Sequence, residues 1–230
     1  MKIVGLQKLT LLDFPGHVAC TVFLGGCNFS CPFCYNSSLL SDAQDNLINE
    51  DDFYAFLDKR KGKIDGVAIT GGEPLLNNNI EAFIKKIKDK GFKVKLDTNG
   101  SFPEVLQTLI EKRLVDYVAM DIKNTFEKYP LTTNCKTLNI EKIKQSITIL
   151  LKGDVDYEFR TTVVKQFHDI EDFKIIGENI KGAKNYFIQC FINKDSCIDN
   201  SLSPLTKNEL QSIVEVVKPY VNNVSLRGVD

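Results

Sequence analysis

Charge of one sign is what this sequence most plainly lacks: 29 lysine and arginine residues stand against 30 aspartate and glutamate, for a formal net charge of −1. Such a balance gives no long-range attraction to a phosphate backbone or an anionic bilayer, which argues against a nucleic-acid or membrane partner. No apolar run is long enough to span a bilayer, and Met1-Lys2-Ile3-Val4 leads into strand-like sequence without a leader-type apolar segment. The expected location is therefore cytoplasmic. Internal repeats, low-complexity tracts and linkers are also missing, and 230 residues suit one domain over 1–230. Histidine is scarce, and neither His17 nor His168 has a partner identifiable from sequence, so both stay outside the candidate catalytic set.

What is present is a soluble globular composition, 43% hydrophobic and 26% charged. Apolar runs of strand length alternate with apolar residues at helical spacing, the pattern of repeated βα units and a parallel sheet. Strands are predicted at Val18 to Leu24, Val67 to Thr70, Lys93 to Leu96, Tyr117 to Ile122, Tyr157 to Val164, Tyr186 to Phe191 and Val224 to Leu226. Between them fall helical stripes: Phe53, Phe56 and Leu57; Ile80, Phe83, Ile84 and Ile87; Val105, Leu106, Leu109 and Ile110; Ile140, Ile143, Ile147 and Leu150; Phe173 and Ile176; and Leu210 to Val217. Pro103 suits a first helical turn. About six βα units fall short of the eight that close a barrel, so the predicted fold is α/β, an incomplete, laterally open (β/α)6-type parallel barrel.

Seven cysteines is an odd number, and Cys27, Cys31 and Cys34 crowd into a glycine-led loop directly after the first predicted parallel strand. A disulfide framework has little loop to close there, whereas metal binding accounts for the spacing. Three readings are open. Buried packing would use the thiols as small hydrophobes. A structural zinc site would need a fourth ligand, usually from a second pair, and no second pair is in sight. Three thiolates suit a cubane cluster with one open iron.

Other candidates sit at the carboxyl ends of later strands, the surface on which barrels of this kind place their active sites. Gly71-Gly72-Glu73-Pro74 would let backbone approach a ligand, with a carboxylate to accept from an ammonium; by itself the motif reads equally as a βα turn. Asp97-Thr98-Asn99-Gly100 and Asp121-Ile122-Lys123 place acids at adjacent strand ends, although the asparagine–glycine pair alone would mark a turn. Arg160 is a charge in an apolar and threonine-rich strand, and needs either a ligand at the mouth or a salt-bridge partner. Cys20 and Cys190 fall within strands as packing residues, while Cys135 and Cys197 fall in loops.

C-x-x-x-C-x-aromatic-C, with Phe33 in the aromatic slot, resembles the defining motif of the radical S-adenosylmethionine superfamily. Asp13-Phe14-Pro15-Gly16, Val22-Phe23-Leu24-Gly25-Gly26-Cys27 and Asn36 resemble more narrowly the activases of glycyl radical enzymes, and the chain as a whole is similar to the anaerobic ribonucleoside-triphosphate reductase activating proteins. The resemblance runs from about Gly5 to Phe191. It implies a 4Fe-4S cluster on Cys27, Cys31 and Cys34, and S-adenosylmethionine held by Phe33, Gly71, Gly72, Glu73, Asp97, Asn99, Lys123, Arg160 and Gln189. It also implies a monovalent cation between Asp97 and Asp121, with carbonyls from Thr98 and Ala119. The expected activity is hydrogen abstraction from a glycine of a partner glycyl radical enzyme, with a flavodoxin- or ferredoxin-like electron donor. The competing expectation is a small-molecule enzyme resembling the 7-carboxy-7-deazaguanine synthases.

Overall fold

The alternating pattern is realised as a single eight-stranded sheet in chain order. The computed structural model describes residues 1–40 and 47–228. Strand β1 (Ile3–Thr10) runs antiparallel to β2 (Ala19–Leu24). Every later pairing is parallel, through β3 (Gly66–Gly71), β4 (Lys93–Thr98), β5 (Tyr117–Asp121), β6 (Asp156–Val163), β7 (Asn185–Cys190) and β8 (Asn223–Arg227). The helices are α1 (Glu50–Arg60), α2 (Ile80–Asp89), α3 (Pro103–Glu111), the short α4 (Tyr129–Thr133), α5 (Ile140–Leu151), α6 (Ile170–Asn179) and α7 (Lys207–Val217). Each strand from β2 to β7 leads into helix before β8 ends the run, and β1 and β8 remain at opposite edges of the sheet. The expected open (β/α)6-type barrel is therefore present, with β1 as an added antiparallel strand.

The helices follow their sequence signals. Ile80, Phe83, Ile84 and Ile87 form the buried stripe of α2, and each such side chain contributes roughly 1.5–3 kcal/mol when taken out of water. Pro103 opens α3, where its missing N–H is not needed, and Thr206 with Glu209 closes a capping box on α7. On α1 the buried face is wider than expected: Tyr54 is buried with Phe53 and Leu57, while Phe56 packs partly buried against the same core, under the guanidinium of Arg60.

Alternation along the strands sends apolar residues such as Val67, Ile69, Val94, Leu96, Val118, Met120 and Phe159 into one continuous core with the helices. The other face is polar. Glu158, only 1% exposed, accepts Tyr117 Oη at 2.9 Å and both Nη atoms of Arg227 at 2.7 and 2.9 Å. These contacts lace β5, β6 and β8 across the barrel interior, and Arg227 also lies over the Phe187 ring of β7, 3.3 Å from its centroid. At the amino-terminal ends of the strands, Phe14 plugs the interior against Gly66, where a Cβ would come 2.8 Å from the ring. Asp13 fixes that plug by accepting from Thr21 Oγ1.

Removing Arg227 leaves Glu158 with one neutral donor for a buried charge. Arg227→Met is expected to lower unfolding free energy by about 2–3 kcal/mol, and Glu158→Gln in the same chain to recover most of it. Urea unfolding of the two variants checks this, and equal stability of the single and double variants would refute it.

Candidate active site

Where β2 ends, Gly25 and Gly26 turn the chain so that the next ten residues cross the carboxyl ends of the parallel strands. Gly26 has φ +88°, which favours glycine. The loop is tied down on several sides: Gly25 N donates to Lys2 O at 2.9 Å, Ser30 N to Thr133 O at 3.0 Å and Cys34 N to Cys31 O at 3.0 Å. Phe33 is buried against Phe167, centroid to centroid 5.9 Å. Cys27, Cys31 and Cys34 all open onto one cavity of about 360 Å³, within the size range of small-ligand sites.

Burial pushes the Cys27 thiol up to about 11 and the Cys31 thiol to about 12, and raises Cys34 as well. Without a metal these groups hold their protons, and metal binding must displace them. The Lys123 ammonium is the largest opposing influence on Cys31 and acts in the same direction on Cys27 and Cys34. Among the described residues, no three histidine, cysteine or acidic side chains converge as ligands of a single ion. Three thiols spread around a shared cavity fit a cluster, whose irons are themselves spread, better than one zinc ion.

The Gly71-Gly72-Glu73 segment is packed against this loop backbone to backbone. Gly72 N donates to Leu24 O and Glu73 N to Gly26 O, each at 2.9 Å, and a Cβ on Gly72 would overlap the Gly26 carbonyl. Gly71 and Gly72 both reach the cavity wall. Glu73 lies just beneath it, 1% exposed, accepting from Leu75 N at 3.0 Å, Thr98 Oγ1 at 2.8 Å and Asn99 N at 2.6 Å. Burial outweighs these donors and raises its carboxyl to about 7. Three acceptor positions of about four are used, leaving one for a further donor.

Beside the thiols, side chains from three strands make an ionic chain of alternating sign. Lys95 contacts Asp97; Asp97 Oδ2 accepts Arg160 Nη1 at 3.3 Å; Asp121 Oδ1 accepts Arg160 Nε and Oδ2 accepts Lys123 Nζ, both at 2.9 Å. Burial opposes both carboxylates, yet Arg160 with Lys95 holds Asp97 below its ordinary value, and Arg160 with Lys123 brings Asp121 to about 2. The same carboxylates raise Arg160 and Lys123 against the effect of burial. Arg160 thus has salt-bridge partners and at the same time lines the cavity. Asp97 and Asp121 already face cations of the chain itself, so an inorganic cation between them has to displace or share Arg160 or Lys123.

Phe33, Asn99 and Gln189 also stand on the cavity wall, as does Thr98, while Ala119 does not. Asn99 in addition ties the thiol loop to the end of β4, its Nδ2 donating to Asn28 Oδ1 at 2.9 Å and its Oδ1 accepting from Ser101. The turn's positive φ belongs to Gly100, at +78°. Some residues of the site carry no sequence motif. Lys95, the buried partner of Asp97, could have been found from its i, i+2 spacing on a strand; Lys194 and Arg227, on the cavity wall, give no comparable signal. Cys190, expected as packing, does pack partly buried against the core and also reaches the cavity wall from the end of β7. The stretch after it folds over the thiol loop: Tyr35 Oη accepts Ile192 N at 2.8 Å, Ser37 Oγ donates to Ser196 O at 2.5 Å, and Asp199 N donates to Pro32 O at 2.9 Å. Cys197 is buried between those clips. His17 lies at the far end of the barrel, against Phe14 and 3.4 Å from Lys93 Nζ.

The raised carboxyl of Glu73 makes a pH prediction. Between its ordinary 4.5 and about 7, the folded protein holds a proton that the unfolded chain has released, so stability falls as pH rises through that window. The span corresponds to about 3 kcal/mol. In urea unfolding of the metal-free protein from pH 4.5 to 7.5, the wild type should lose that much relative to Glu73→Gln. A constant difference between the two would contradict the assignment.

Comparison with known proteins agrees with this geometry. Residues 21–176 match the profile of the Radical SAM superfamily. Two proteins of Methanocaldococcus jannaschii, both provisionally named glycyl-radical enzyme activating enzymes, are similar over nearly the whole chain: one is 34% identical, covering 99% of this chain and 96% of its own length, the other 26% identical, covering 95% and 80%. The 7-carboxy-7-deazaguanine synthase of Bacillus subtilis is 25% identical over 71% of this chain and 70% of its own. Among solved structures, a domain of pyruvate-formate lyase-activating enzyme from Bacteroides vulgatus superposes with a TM-score of 0.59 at 16% identity, over 71% of this chain and 99% of that one. Streptococcus suis SuiB bound to S-adenosylmethionine superposes at 0.65 and 15%, over 88% and 48%. These two likenesses speak to the fold alone. With the profile spanning more than half of the sequence and a relative at 34% identity matched end to end, the chain belongs to the radical SAM superfamily.

Proposed function

We propose that the chain is a radical S-adenosylmethionine oxidoreductase that activates a glycyl radical enzyme, of the anaerobic ribonucleoside-triphosphate reductase type, by abstracting a hydrogen from a glycine. The observation that carries this reading is the meeting of three loop thiols and the Asp97, Arg160, Asp121 and Lys123 side chains at one cavity, in a chain similar end to end to a protein named as such an activase. Cys27, Cys31 and Cys34 would hold a 4Fe-4S cluster. When bound, the cluster supplies one electron at low potential, and S-adenosylmethionine cleaved by that electron supplies the abstracting radical.

The chain's own residues do the holding. An amino acid moiety brings an ammonium and a carboxylate, and the site offers each a partner: the spare acceptor of Glu73, and the cavity-facing edges of Arg160 and Lys123. Phe33, Asn99, Gln189 and the glycines Gly71 and Gly72 complete the walls around the nucleoside part. If Arg160 and Lys123 turn toward the cofactor carboxylate, Asp97 and Asp121 are left to a monovalent cation, which then enters with the cofactor. The open sheet between β1 and β8 leaves a side through which a partner's glycine loop can approach. A balanced net charge suits docking by shape and local patches to a cytoplasmic protein and a flavodoxin- or ferredoxin-like donor.

Two outcomes are expected. Glu73→Gln and Arg160→Met proteins should keep the cluster and bind S-adenosylmethionine about ten- to a hundredfold more weakly by equilibrium titration, the loss expected for a charge-assisted contact. Unchanged affinity in both variants would refute the roles given to them. Reduced enzyme mixed with S-adenosylmethionine and an anaerobic ribonucleotide reductase should yield a glycyl doublet in electron paramagnetic resonance, with methionine and 5′-deoxyadenosine released in step. Cleavage that ignores the protein partner and follows a small metabolite would replace the activase reading with the deazaguanine-synthase-like one.

A further inference from the structure

His168, for which the sequence offered no partner, lies 4% exposed behind the wall of the site and contacts the backbone of Lys123, whose ammonium acts on all three thiols. Its Nε2 is 2.8 Å from the carbonyl oxygen of Lys123, and its Nδ1 is 3.1 Å from Val164 N. Nδ1 is also 3.2 Å from the Val164 carbonyl oxygen. A carbonyl oxygen only accepts, so Nε2 carries a proton and donates it to Lys123 O. Burial lowers the pKa of the ring.

The preceding peptide is held too. Lys123 N donates to Tyr129 Oη at 3.1 Å, and Tyr129 Oη donates to Asp121 O at 3.4 Å. Asn124 Nδ2, one residue on, donates to Phe167 O at 2.8 Å, and Phe167 packs on Phe33 of the thiol loop. The backbone of Lys123 is thus clamped by His168, just beyond β6, and by Tyr129 of α4, so that its Nζ reaches Asp121 at the cavity wall.

We propose that His168 is a positioning residue that, by donating to the Lys123 carbonyl, holds the Lys123 ammonium against the cluster thiols and so raises the cluster's reduction potential and the affinity for S-adenosylmethionine. The inference rests on the cluster assignment above. An ammonium near the cluster favours the more negative, reduced form, and letting it drift away lowers the potential.

The test compares His168→Phe, which keeps the ring and loses the donor, with His168→Gln, whose amide N–H reaches about the same place. In the reconstituted enzyme, His168→Phe should lower the cluster potential in a spectroscopic redox titration and weaken S-adenosylmethionine binding about tenfold, with His168→Gln restoring both. In a Lys123→Met background, His168→Phe should cause no further shift, the non-additivity expected of residues acting through one another. In the metal-free protein, acylation of Lys123 read by peptide mass spectrometry should rise at least about tenfold in His168→Phe, while buried Lys95 stays unchanged. A potential shift that persists without Lys123, a glutamine variant that behaves like phenylalanine, or Lys123 acylation unchanged by His168→Phe would overturn the proposal. The acylation arm needs no cluster, so its result stands even if the cofactor assignment itself fails.

Discussion

Two carboxylates at the mouth of the barrel, withdrawn from bulk water, set the terms for everything around them. An isolated ion there would be too costly to keep, and removing one member of a buried pair commonly costs several kcal/mol. The chain resolves this by alternating signs: Lys95, Asp97, Arg160, Asp121 and Lys123 follow one another across β4, β5 and β6. Each charge is neutralised by the next, and the five together carry one net positive charge. That surplus lies beside thiols whose burial favours the protonated form, so the site is electrostatically prepared for thiolates and for an anionic ligand group.

The same economy of contact governs the backbone. Strand ends of a parallel barrel converge, and two backbones can lie in hydrogen-bonding distance only where no Cβ intervenes. Gly72 against Gly26 is such a place; at the opposite end Gly66 gives the same room to the ring of Phe14. The first brings the thiol loop into register with Glu73; the second closes the barrel floor. Between them the interior is filled by Tyr117, Glu158 and Arg227, so the cavity is confined to the mouth.

Much of this was legible in the sequence because it is written locally. Apolar runs of strand length located the parallel strands, period-3.6 stripes located the helices, and the cysteine spacing identified the thiol loop. What escaped depends on register between strands far apart in sequence. Nothing near Arg160 announces that it stands opposite Asp121 and reaches Asp97; only the pairing of β6 with β5 does. Glu73 reads as a ligand carboxylate, yet three of its acceptor positions serve Leu75, Thr98 and Asn99, the last two on the neighbouring strand and its exit. His168 has no sequence cue at all, since its partner is a backbone carbonyl 45 residues away. Tyr54 joins Phe53 and Leu57 in the buried face of α1 because its position is adjacent to Phe53 and one turn from Leu57, which a stripe read from the most apolar residues passes over.

The central proposal is that Cys27, Cys31 and Cys34, around their shared cavity, would hold a cluster able to take S-adenosylmethionine as a ligand. It is tested most directly by electron paramagnetic resonance of the anaerobically reconstituted, reduced protein before and after adding S-adenosylmethionine. The account predicts a single cluster signal that changes on addition, and that Cys31→Ala abolishes while Cys20→Ala leaves intact. A signal indifferent to S-adenosylmethionine, or a full cluster retained in Cys31→Ala, would contradict it.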